Sequence, residues 1–433
     1  MGERAFVHIE RILRGEHTGQ AVNVRGWVHR QRSGGSIVFL VVRDATGLLQ
    51  CTVKRGNVAD EAFDQADASR LEASVKVSGT VVEDRRAPGG FELRASAFEV
   101  VGPSPDIPLY EGQGIEHELD HRHLWLRSQK LAAVAKVRAT ALKAMGEWFD
   151  ENGFWEVSPS IITRSAAEGG ATVFKIDYFG EPAYLTQSSQ MYLEAMIFGL
   201  ERVFCLAPSF RAEKSRTAKH LTEFWHLEAE QAWCDHDENL RIQEQLVAHT
   251  CNRVAERVPN VLAVLDRDAE RLRRVQAPFE RIHYDDAVDL LQKANVDISW
   301  GDDLGAPHER ALSEHFGEFV FVTHFPAKIK AFYMALDDDG VHAKCADLIA
   351  PEGYGELVGG SERSTDLATM EARLREEGAN VDHYAWYLDL RRYGSVPHAG
   401  FGLGIERFVA FLAGLDHVRD AVPFPRTPNR VYP

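Results

Sequence analysis

Residues 210–224 read FRAEKSRTAKHLTEF, in which two apolar ends enclose a loop dense in cations. The apolar ends predict two strands joined by this loop. Within ten residues the loop carries five potential cations, namely Arg211, Lys214, Arg216, Lys219 and His220. Clustered guanidinium and ammonium groups are typical of polyphosphate binding, although a solvated basic hairpin would have the same composition. The segment therefore predicts two strands joined by a candidate phosphate clamp.

Residues 400–407 read GFGLGIER and form a second decisive stretch. They are not a dinucleotide fingerprint, because G-x-G-x-x-G would need glycine at position 405, where Ile405 stands. Alternating glycines in a strand let a flat ligand approach the backbone. Arg407 follows at the start of a predicted helix, where a guanidinium can meet phosphate or lie on an aromatic base. We therefore expect this strand to face a flat ligand.

The segment that precedes these strands has a long helical period. From Leu131 to Phe149 apolar side chains recur at helical spacing, and Asn152 and Gly153 follow as a stop signal. The pattern predicts a helix of about 22 residues that runs into a short strand, residues 154–157, and then Pro159. Any α+β domain contains such a helix, so this feature alone indicates no function.

The first hundred residues have a different character. Short β-branched runs in residues 22–55 are broken by turn signals, and two more runs follow at residues 75–82 and 91–101. Five short strands in about 100 residues are typical of a small closed barrel such as an OB-fold, whose face binds single-stranded nucleic acid through cations and aromatic stacking. Trp27 and Phe39 are the aromatic candidates, and either ring would fit equally well in the barrel core.

Residues 102–125 are rich in proline, glycine and charge and have no period, which predicts a hinge. We therefore expect a barrel domain over residues 1–103, a hinge over residues 104–127 and a larger domain over residues 128–433.

The charge is distributed unevenly between these parts. The 433 residues carry 49 Lys and Arg against 65 Asp and Glu, a net charge of −16, which taken globally argues against a nucleic-acid partner. Residues 1–110, however, carry 14 of each sign, and residues 25–55 carry six basic side chains against Asp44 alone. Phosphate attraction is local, because charges beyond about 10 Å are screened. The basic stripe therefore keeps nucleic acid open as a partner and predicts modest, salt-dependent binding.

Two further features bound the class of protein. No charge-free run approaches the ~18 apolar residues of a membrane span, and the N-terminal residues carry acids instead of an apolar signal core, so we expect a cytoplasmic protein with no membrane partner. The five cysteines contain no C-x-x-C pair, and neither a zinc site nor a disulfide framework is expected.

The segments FRAE…RTAKHLTEF and GFGLGIER, together with the earlier Pro159, resemble motifs 2, 3 and 1 of the class II aminoacyl-tRNA synthetases in order and spacing. The resemblance covers residues 128–433, and the N-terminal barrel resembles the anticodon-binding OB-fold of the aspartyl, asparaginyl and lysyl subgroup. It implies an α+β fold in which an antiparallel sheet flanked by helices follows the barrel. It also implies a homodimer with Pro159 near the twofold interface, because motif 1 lies there in this family.

In this family the carboxylate of the amino acid attacks the α-phosphate of ATP, and the aminoacyl-adenylate is then passed to the terminal adenosine of tRNA. Cations and metal, rather than a strong acid or base, stabilise such a transition state. Arg211 matches the arginine on the α-phosphate, and Phe224 and Arg407 match the pair that encloses adenine. The implied ATP-binding set is Arg211, Glu213, Lys219, His220, Leu221, Phe224, Glu356, Gly404, Ile405, Glu406 and Arg407, with Arg211, Glu356 and Arg407 as the catalytic members.

The resemblance also implies Mg²⁺, which prefers oxygen ligands and bridges phosphates. Asp347 and Glu356 match the two acidic positions, although solvated loop acids would look the same in sequence. For the amino acid, Glu168 matches the partner of the substrate ammonium group, and Arg363 matches the arginine at the substrate side-chain oxygen. The segment that packs around the substrate backbone is matched by Gln187, Ser188 and Gln190.

Two positions favour asparagine over aspartate. Where aspartyl enzymes have a lysine for the second carboxylate this chain has Leu193, and where they typically have Asp after motif 2 it has Glu228. A glutamate can accept from the substrate amide and repel a carboxylate. Residues 330–334, KAFYM, and residues 389–404 also resemble asparaginyl members. We therefore expect L-asparagine to be activated with ATP and transferred to the 3′ end of tRNA(Asn).

Three barrel residues match family positions that read the anticodon. They are Arg32, Phe39, which would stack on a base, and Gln50, which would bond the middle uridine. Other readings stay open: an aspartyl-tRNA synthetase of relaxed tRNA specificity, a non-catalytic RNA-binding paralogue, or an ATP-dependent asparagine-forming enzyme on the same catalytic fold. The intact set of motif charges argues against a decayed catalytic domain.

Overall fold

The computed structural model describes residues 5–109, 112–164, 173–214 and 217–433. The chain divides into two compact units, Met1–Gly114 and Ile115–Pro433. The domain bounds that the sequence suggests stay predictions. Two short helices of the second unit begin within the stretch predicted to be a hinge.

The first unit is a closed five-stranded barrel with the pairing order β1-β2-β3-β5-β4. Its elements are α1 (Ile9–Leu13), β1 (Ala21–Gly34), β2 (Ile37–Arg43), β3 (Leu48–Lys54), α2 (Asp60–Ala68), β4 (Ser74–Glu83), a 3₁₀ turn (Pro88–Gly90) and β5 (Phe91–Gly102). Side chains alternate between the inside and the outside, and in β2 Val38, Leu40 and Val42 fill the core. The predicted barrel is therefore confirmed.

The second unit is a mixed sheet flanked by helices. In chain order its elements are α3 (Ile115–Asp120), α4 (Arg122–Trp125), α5 (Gln129–Glu151), β6 (Trp155–Glu156), β7 (Ile162–Thr163), β8 (Lys175–Tyr178), β9 (Glu181–Leu185), α6 (Gln190–Leu200), β10 (Arg202–Phe210), β11 (Glu223–Ala232), α7 (His236–Arg257), α8 (Pro259–Val264), α9 (Ala269–Arg273), β12 (Glu280–His283), α10 (Tyr284–Lys293), α11 (Ala306–Phe316), β13 (Val320–Thr323), a 3₁₀ turn (Ala327–Ile329), β14 (Cys345–Ala350), β15 (Gly355–Glu362), α12 (Leu367–Glu376), a 3₁₀ turn (Val381–Tyr384), α13 (Ala385–Arg392), β16 (His398–Gly404), α14 (Ile405–Ala413) and a 3₁₀ turn (Val418–Ala421).

The main sheet has eight strands in the order β12-β13-β14-β15-β16-β11-β10-β6. Its six middle strands, β13 to β10 in that order, pair antiparallel, whereas the edge pairs β12–β13 and β10–β6 are parallel. Strands β7, β9 and β8 form a separate small sheet. The α+β class with a largely antiparallel sheet is confirmed.

Helix α5 has the length that its period predicts, 23 residues. It begins after Ser128, whose side chain accepts a hydrogen bond from the main-chain N–H of Leu131 at 3.3 Å. It ends before Gly153, whose φ of +75° lies in the left-handed region that glycine favours. Phe149 stacks on Phe204 of β10 with ring centroids 4.2 Å apart. This contact anchors the strand that leads into the cation-rich loop.

Helices α5, α7 and α14 share one large hydrophobic core with the sheet. Among the described residues, no helix combines the length and the apolar composition that crossing a bilayer requires.

Candidate active site

Strand alternation separates a core face of the sheet from a polar face. On β11, Leu227 and Ala229 belong to the hydrophobic core. The residues between and beside them, His226, Glu228 and Glu230, line a pocket instead. On strand β14, Ala346 and Leu348 belong to the same core, and Asp347 between them lines the pocket. A period of two therefore places the charged side chains of several strands together on one surface.

Two adjoining pockets lie on this polar face. The first pocket is lined by every predicted ATP-binding residue except Glu213 and Ile405. The second pocket is larger and brings together the predicted amino-acid and metal residues Ser188, Gln190, Glu228, Arg363, Asp347 and Glu356. Arg211, Glu356 and Gly402 line both pockets, which makes them continuous.

The first pocket combines an aromatic ring with two guanidinium groups. Arg211 follows the end of β10, and its Cζ lies 5.6 Å from the centroid of the Phe224 ring. Arg407 lies in the first turn of α14, where its Nη1 donates to the carbonyl oxygen of Glu356 at 2.7 Å and its Nε to that of Lys219 at 3.4 Å. Main-chain bonds therefore hold Arg407 in place. An aromatic face with fixed cations beside it suits a purine that carries phosphates.

The cation-rich loop packs back against the sheet. Lys219 Nζ lies 3.0 Å from Oε2 of Glu309, and both side chains are largely buried. His220 contacts the hydroxyl of Thr217. Burial, together with the charge of Arg407, lowers the pKa of His220. The loop therefore presents a mixture of paired and unprotonated groups rather than a free basic hairpin.

Two predicted ATP-binding side chains, Ile405 and Glu213, do not line the first pocket, and that of Glu406 lines it but is already paired. Ile405 is fully buried in the hydrophobic core, and Glu213 is exposed on the loop after β10. The carboxylate of Glu406 accepts from Arg138 at 2.8 Å and from the main-chain N–H of Trp225 at 3.0 Å. Nucleotide contacts by Ile405 and Glu406 would have to come from their main chain.

Two glycines of β16 make room for side chains of the neighbouring strand, which the sequence did not suggest. A Cβ at Gly400 would lie 1.9 Å from Oε2 of Glu230, and a Cβ at Gly402 would lie 2.4 Å from Nε2 of His226. Both neighbours belong to the adjacent strand β11, so these glycines make room for its side chains. At Gly404 a Cβ would meet nothing within 4 Å. The expectation that the strand opens to a flat ligand is therefore wrong at Gly400, whereas Gly402 and Gly404 line the first pocket, so that the expectation stays a prediction there.

Asp347 and Glu356 converge over a glycine on neighbouring strands. A Cβ at Gly359 would lie 3.0 Å from Oε1 of Glu356 and 3.6 Å from Oδ1 of Asp347. Burial raises the pKa of Asp347 to about 7 despite the ammonium group of Lys330, 2.9 Å away, and the charge of Glu356 adds to the rise. For Glu356 burial also acts upward, but Arg407 and Lys330 outweigh it and lower the pKa. Two adjacent carboxylates of this kind suit a divalent cation.

The segment before α6 is fastened to β11. Oε2 of Glu228 accepts from the main-chain N–H of Ser189 at 2.8 Å, and Oε1 accepts from the hydroxyl of Ser188. Gln190 donates to Oε1 of Glu194 at 2.9 Å. Glu194 is itself fully buried. The segment is therefore fixed in shape before any ligand binds.

Three more positions of the predicted amino-acid pocket have different outcomes. Leu193 lines the second pocket, where aspartyl members have lysine. Gln187 is buried. Glu168 lies outside the described residues.

Arg363 and Glu230 form a buried, bidentate ion pair. Nε of Arg363 donates to Oε1 of Glu230 at 2.8 Å, and Nη2 donates to Oε2 at 2.9 Å. The third nitrogen, Nη1, donates to the hydroxyl of Ser361 at 2.8 Å, and the guanidinium lies 5.4 Å from the ring centroid of Tyr333. Arg363 and Glu230 are 4% and 1% exposed. The arginine that reaches the second pocket is thus neutralised by a carboxylate.

Sequence reasoning missed the partners of the predicted residues. Glu230, Lys330 and Glu309 received no role, although Glu230 lies two residues after Glu228 on the same strand face. Period two would have placed Glu230 beside Glu228. Lys330 and Glu309 lie far along the chain from Asp347 and Lys219, and no local pattern links those pairs.

On the barrel, the three predicted anticodon residues come from adjacent strands. Arg32 pairs with Phe39 across β1 and β2, and Phe39 pairs with Thr52 of β3. Phe39 is 38% exposed, so it is not a core residue. Nε2 of Gln50 donates to Oε2 of Glu92 at 3.2 Å. The result is an outward face with an accessible ring, a cation and a half-buried amide.

Known proteins share this architecture over the whole chain. Residues 114–428 match the family model of class II tRNA synthetases (D, K and N), and residues 22–101 match that of the OB-fold nucleic acid binding domain. An asparagine–tRNA ligase of Thermoplasma acidophilum is 44% identical over 418 residues, which are 96% of this chain and 97% of that protein. A crystal structure of asparaginyl-tRNA synthetase from Pyrococcus horikoshii complexed with asparaginyl-adenylate is 46% identical, with a TM-score of 0.96 and complete coverage of both chains. Asparaginyl-tRNA synthetase of Entamoeba histolytica is 30% identical with a TM-score of 0.91, again over the whole of both chains.

Proposed function

The chain belongs to the class II tRNA synthetases of the aspartate, lysine and asparagine group, and on that premise we propose how its residues carry out the reaction of an asparagine–tRNA ligase. It activates L-asparagine with ATP to asparaginyl-adenylate and transfers the asparaginyl group to the 3′ end of tRNA(Asn). The observation that carries the choice of asparagine is the buried pair of Arg363 and Glu230 in the second pocket.

A neutralised arginine favours a carboxamide over a carboxylate. Free guanidinium would attract the second carboxylate of aspartate, but Glu230 already occupies two of the donor nitrogens of Arg363. A carboxylate placed there would meet Glu230 and Glu228 as like charges, and no cation stands at Leu193 to compensate. A carboxamide can donate to either glutamate and accept from the guanidinium. Asparagine is therefore the better fit of the two.

Activation is an in-line substitution at phosphorus. The asparagine carboxylate oxygen forms a bond to the α-phosphorus while the bond to the β-phosphate oxygen breaks, and pyrophosphate leaves. Arg211 donates to the α-phosphate oxygens, on which charge develops, and Arg407 with Phe224 encloses adenine. The terminal ribose hydroxyl of tRNA then attacks the carbonyl carbon, the bond from that carbon to the phosphate oxygen breaks, and AMP leaves with the hydroxyl proton passing to its phosphate.

Asp347 and Glu356 are the residues that would hold Mg²⁺. The donor set fits this ion, since both groups are carboxylates that approach each other over Gly359, where a Cβ would intrude. When bound, Mg²⁺ supplies charge neutralisation to the phosphates. Lys330 lies 2.9 Å from Asp347 and limits the net negative charge of the two carboxylates.

The barrel face supplies tRNA selection. Phe39 would stack on an anticodon base, Gln50 would bond the edge of the middle uridine, and Arg32 would meet the adjacent phosphate or base. The exposure of Phe39 supports this role over a core role.

Two further parts of the proposal concern assembly and location. We expect a homodimer with Pro159 near its twofold axis, and the support is the edge strand β6 beside it, where Trp155 is 62% exposed. Because aminoacylation serves translation, we expect the protein to act in the cytoplasm.

The proposed function is tested by following both half-reactions. The purified chain is incubated with ATP and each amino acid, enzyme-bound adenylate is detected by mass spectrometry, and tRNA is then added. Asparaginyl-adenylate followed by asparaginyl-tRNA supports the proposal. RNA binding without any adenylate would establish a non-catalytic paralogue instead, and release of free asparagine from aspartate and ammonia would establish an asparagine-forming enzyme.

A further inference from the structure

Four histidines lie in a row at one end of the second unit, and none of them lines either pocket. His236 opens α7, His283 ends β12, His324 follows β13 and His342 precedes β14. Ring centroids are 5.0 Å apart for His236 and His324, 5.2 Å for His324 and His283, and 4.9 Å for His283 and His342. We call these four residues the histidine row. The row plays no part in the function proposed above.

An aspartate joins His283 and His342, the two neighbouring members at one end of the row. Oδ1 of Asp285 lies 3.3 Å from Nε2 of His342, and Oδ2 lies 3.7 Å from Nδ1 of His283. One ligand atom from each of the three residues lies within 4.8 Å of the others. Zn²⁺ binds imidazole nitrogen and carboxylate oxygen at about 2.0–2.2 Å in a tetrahedron, which puts ligand atoms about 3.4 Å apart. The two aspartate–histidine spacings, each to a different oxygen of Asp285, are close to that value, and the remaining spacing is within 4.8 Å.

His342 is held as a metal-binding histidine is usually held. Its Nδ1 lies 2.5 Å from Oδ2 of Asp339, whose other oxygen accepts from the main-chain N–H groups of Val341 and His342 at 2.8 Å and 3.0 Å. A proton on Nδ1 that bonds Asp339 leaves the lone pair of Nε2 facing Asp285. A carboxylate behind the ligating imidazole is the common arrangement at protein metal sites, where it fixes the tautomer and the ring orientation.

The rest of the surroundings are partly open to solvent. The indole N–H of Trp300 donates to Oδ1 of Asp285 at 2.6 Å, and the ring of His283 accepts a long bond of 3.3 Å from the main-chain N–H of Asp285. The side chains of His283 and Asp285 are 36% and 47% exposed, whereas that of His342 is 10% exposed. Solvent therefore reaches the carboxylate, while the histidine beneath it is fixed.

The other half of the row holds nitrogens that the protein does not satisfy. Among the described residues, Nδ1 of His324 and both ring nitrogens of His236 are buried with no hydrogen-bond partner, and His236 is only 8% exposed. Buried polar atoms are usually paired. His324 stacks on His283 with ring centroids 5.2 Å apart, so these buried imidazoles lie beside the cluster without belonging to it.

From these contacts we propose that His283, Asp285 and His342 bind a transition-metal ion of the zinc class. Imidazole nitrogens select such ions over Mg²⁺, which sets this site apart from the carboxylate pair in the second pocket. The cysteine count could not indicate it, because no ligand is a thiolate.

Metal binding would affect the segment that connects β13 to β14. Residues 324–344 connect β13 to β14 and carry Lys330 and Tyr333, which line the second pocket. An ion that ties His342 to His283 and Asp285 fastens the end of this segment to the β12–α10 corner. The bound metal would therefore hold in place a segment that lines the second pocket.

A second cluster, Glu194, Glu230 and His398, also brings three such groups together, but it does not suit a metal. Its carboxylates are already paired with Arg391 and Arg363 at 2.6 Å and 2.8 Å, and the cluster is fully buried. An ion there would displace two guanidinium groups.

The test is a titration of the untagged, metal-stripped chain with Co²⁺, followed by competition with Zn²⁺. We expect one Co²⁺ per chain with the intense visible absorption of a tetrahedral site, displaced by one equivalent of Zn²⁺. His342→Ala and Asp285→Asn are expected to weaken binding at least 100-fold. Asp339→Asn, which removes only the support of His342, is expected to weaken it 10- to 100-fold. His123→Ala, an exposed histidine elsewhere, is the matched control and leaves binding unchanged.

Thermal unfolding keeps the test decisive if a variant folds poorly. Asp285 is on the surface, so Asp285→Asn is expected to fold, and saturating Zn²⁺ raises the melting temperature of the wild type but not that of this variant. Absence of Co²⁺ binding by the wild type would overturn the proposal and identify His342 as an imidazolium held between Asp339 and Asp285. Binding that Asp285→Asn and His342→Ala leave intact would also overturn it.

Discussion

The two units handle positive charge in opposite ways. On the barrel, Arg32 is exposed beside the accessible ring of Phe39. In the second unit, cations at the pockets are largely buried and matched by carboxylates, as in the pairs Arg363–Glu230 and Lys330–Asp347. An exposed cation gives affinity that salt weakens, whereas a buried pair gives selectivity because either partner alone is costly. The net charge of the chain conceals this division.

The largest effect is expected at the one guanidinium assigned to the reacting phosphate. Arg211→Ala should lower asparagine-dependent ATP–pyrophosphate exchange about 100- to 1,000-fold, because it removes a donor to charge that develops in the transition state. Lys214→Ala, on the same loop but exposed, is the control and should stay within a few-fold of wild type. Binding of tRNA to the barrel should be unchanged, and equal losses in both variants would count against the role of Arg211.

Breaking the buried pair is expected to have the next largest effect. Glu230→Gln leaves Arg363 without its counter-charge, so the preference for asparagine over aspartate in exchange kinetics should fall about 10- to 100-fold. Urea unfolding should show a loss of about 3 kcal/mol in stability, since one partner of a buried pair is removed.

The companion variant Glu228→Asp plus Leu193→Lys supplies the cation that aspartyl members have. It too should shift discrimination toward aspartate. An unchanged preference in this variant would refute the assignment of Glu228 and Leu193.

These outcomes depend on partners that the sequence did not reveal. The barrel and the strands around the cation-rich loop could be predicted from strand periods, which are local, whereas the central sheet and the polar residues of the first pocket followed from the resemblance of the motifs to a known family. The pair Arg363–Glu230 joins residues 133 positions apart, and its partner strand is not specified by either segment. The second role of Gly400 and Gly402 was missed for the same reason, since the atoms that they admit, from Glu230 and His226, belong to a neighbouring strand.

A smaller effect is expected on the barrel. Gln50→Ala should lower kcat/KM for charging of tRNA about 10-fold, because one base-edge contact is lost. Amino-acid-dependent exchange should be unaffected, since the barrel takes no part in activation. Lys76→Ala, on β4, is the matched surface control. Equal damage to charging and exchange would contradict a separate anticodon role for Gln50.

The smallest effect is expected from salt, which should distinguish the two units without any mutation. Raising salt from 50 to about 200 mM should weaken tRNA charging several-fold through the exposed cations of the barrel. Asparagine-dependent exchange should change much less, because the pairs in the second unit are buried and poorly screened. If salt lowered the rates of charging and exchange equally, the contrast between exposed cations on the barrel and buried pairs in the second unit would be contradicted.

The most direct test of the central claim compares asparagine and aspartate in ATP–pyrophosphate exchange with the wild-type chain. The neutralised arginine and the two glutamates predict that kcat/KM for asparagine exceeds that for aspartate by at least about 1,000-fold, since a site built around polar partners rejects the analogue that mispairs them. Comparable exchange with both amino acids, or preference for aspartate, would contradict the account.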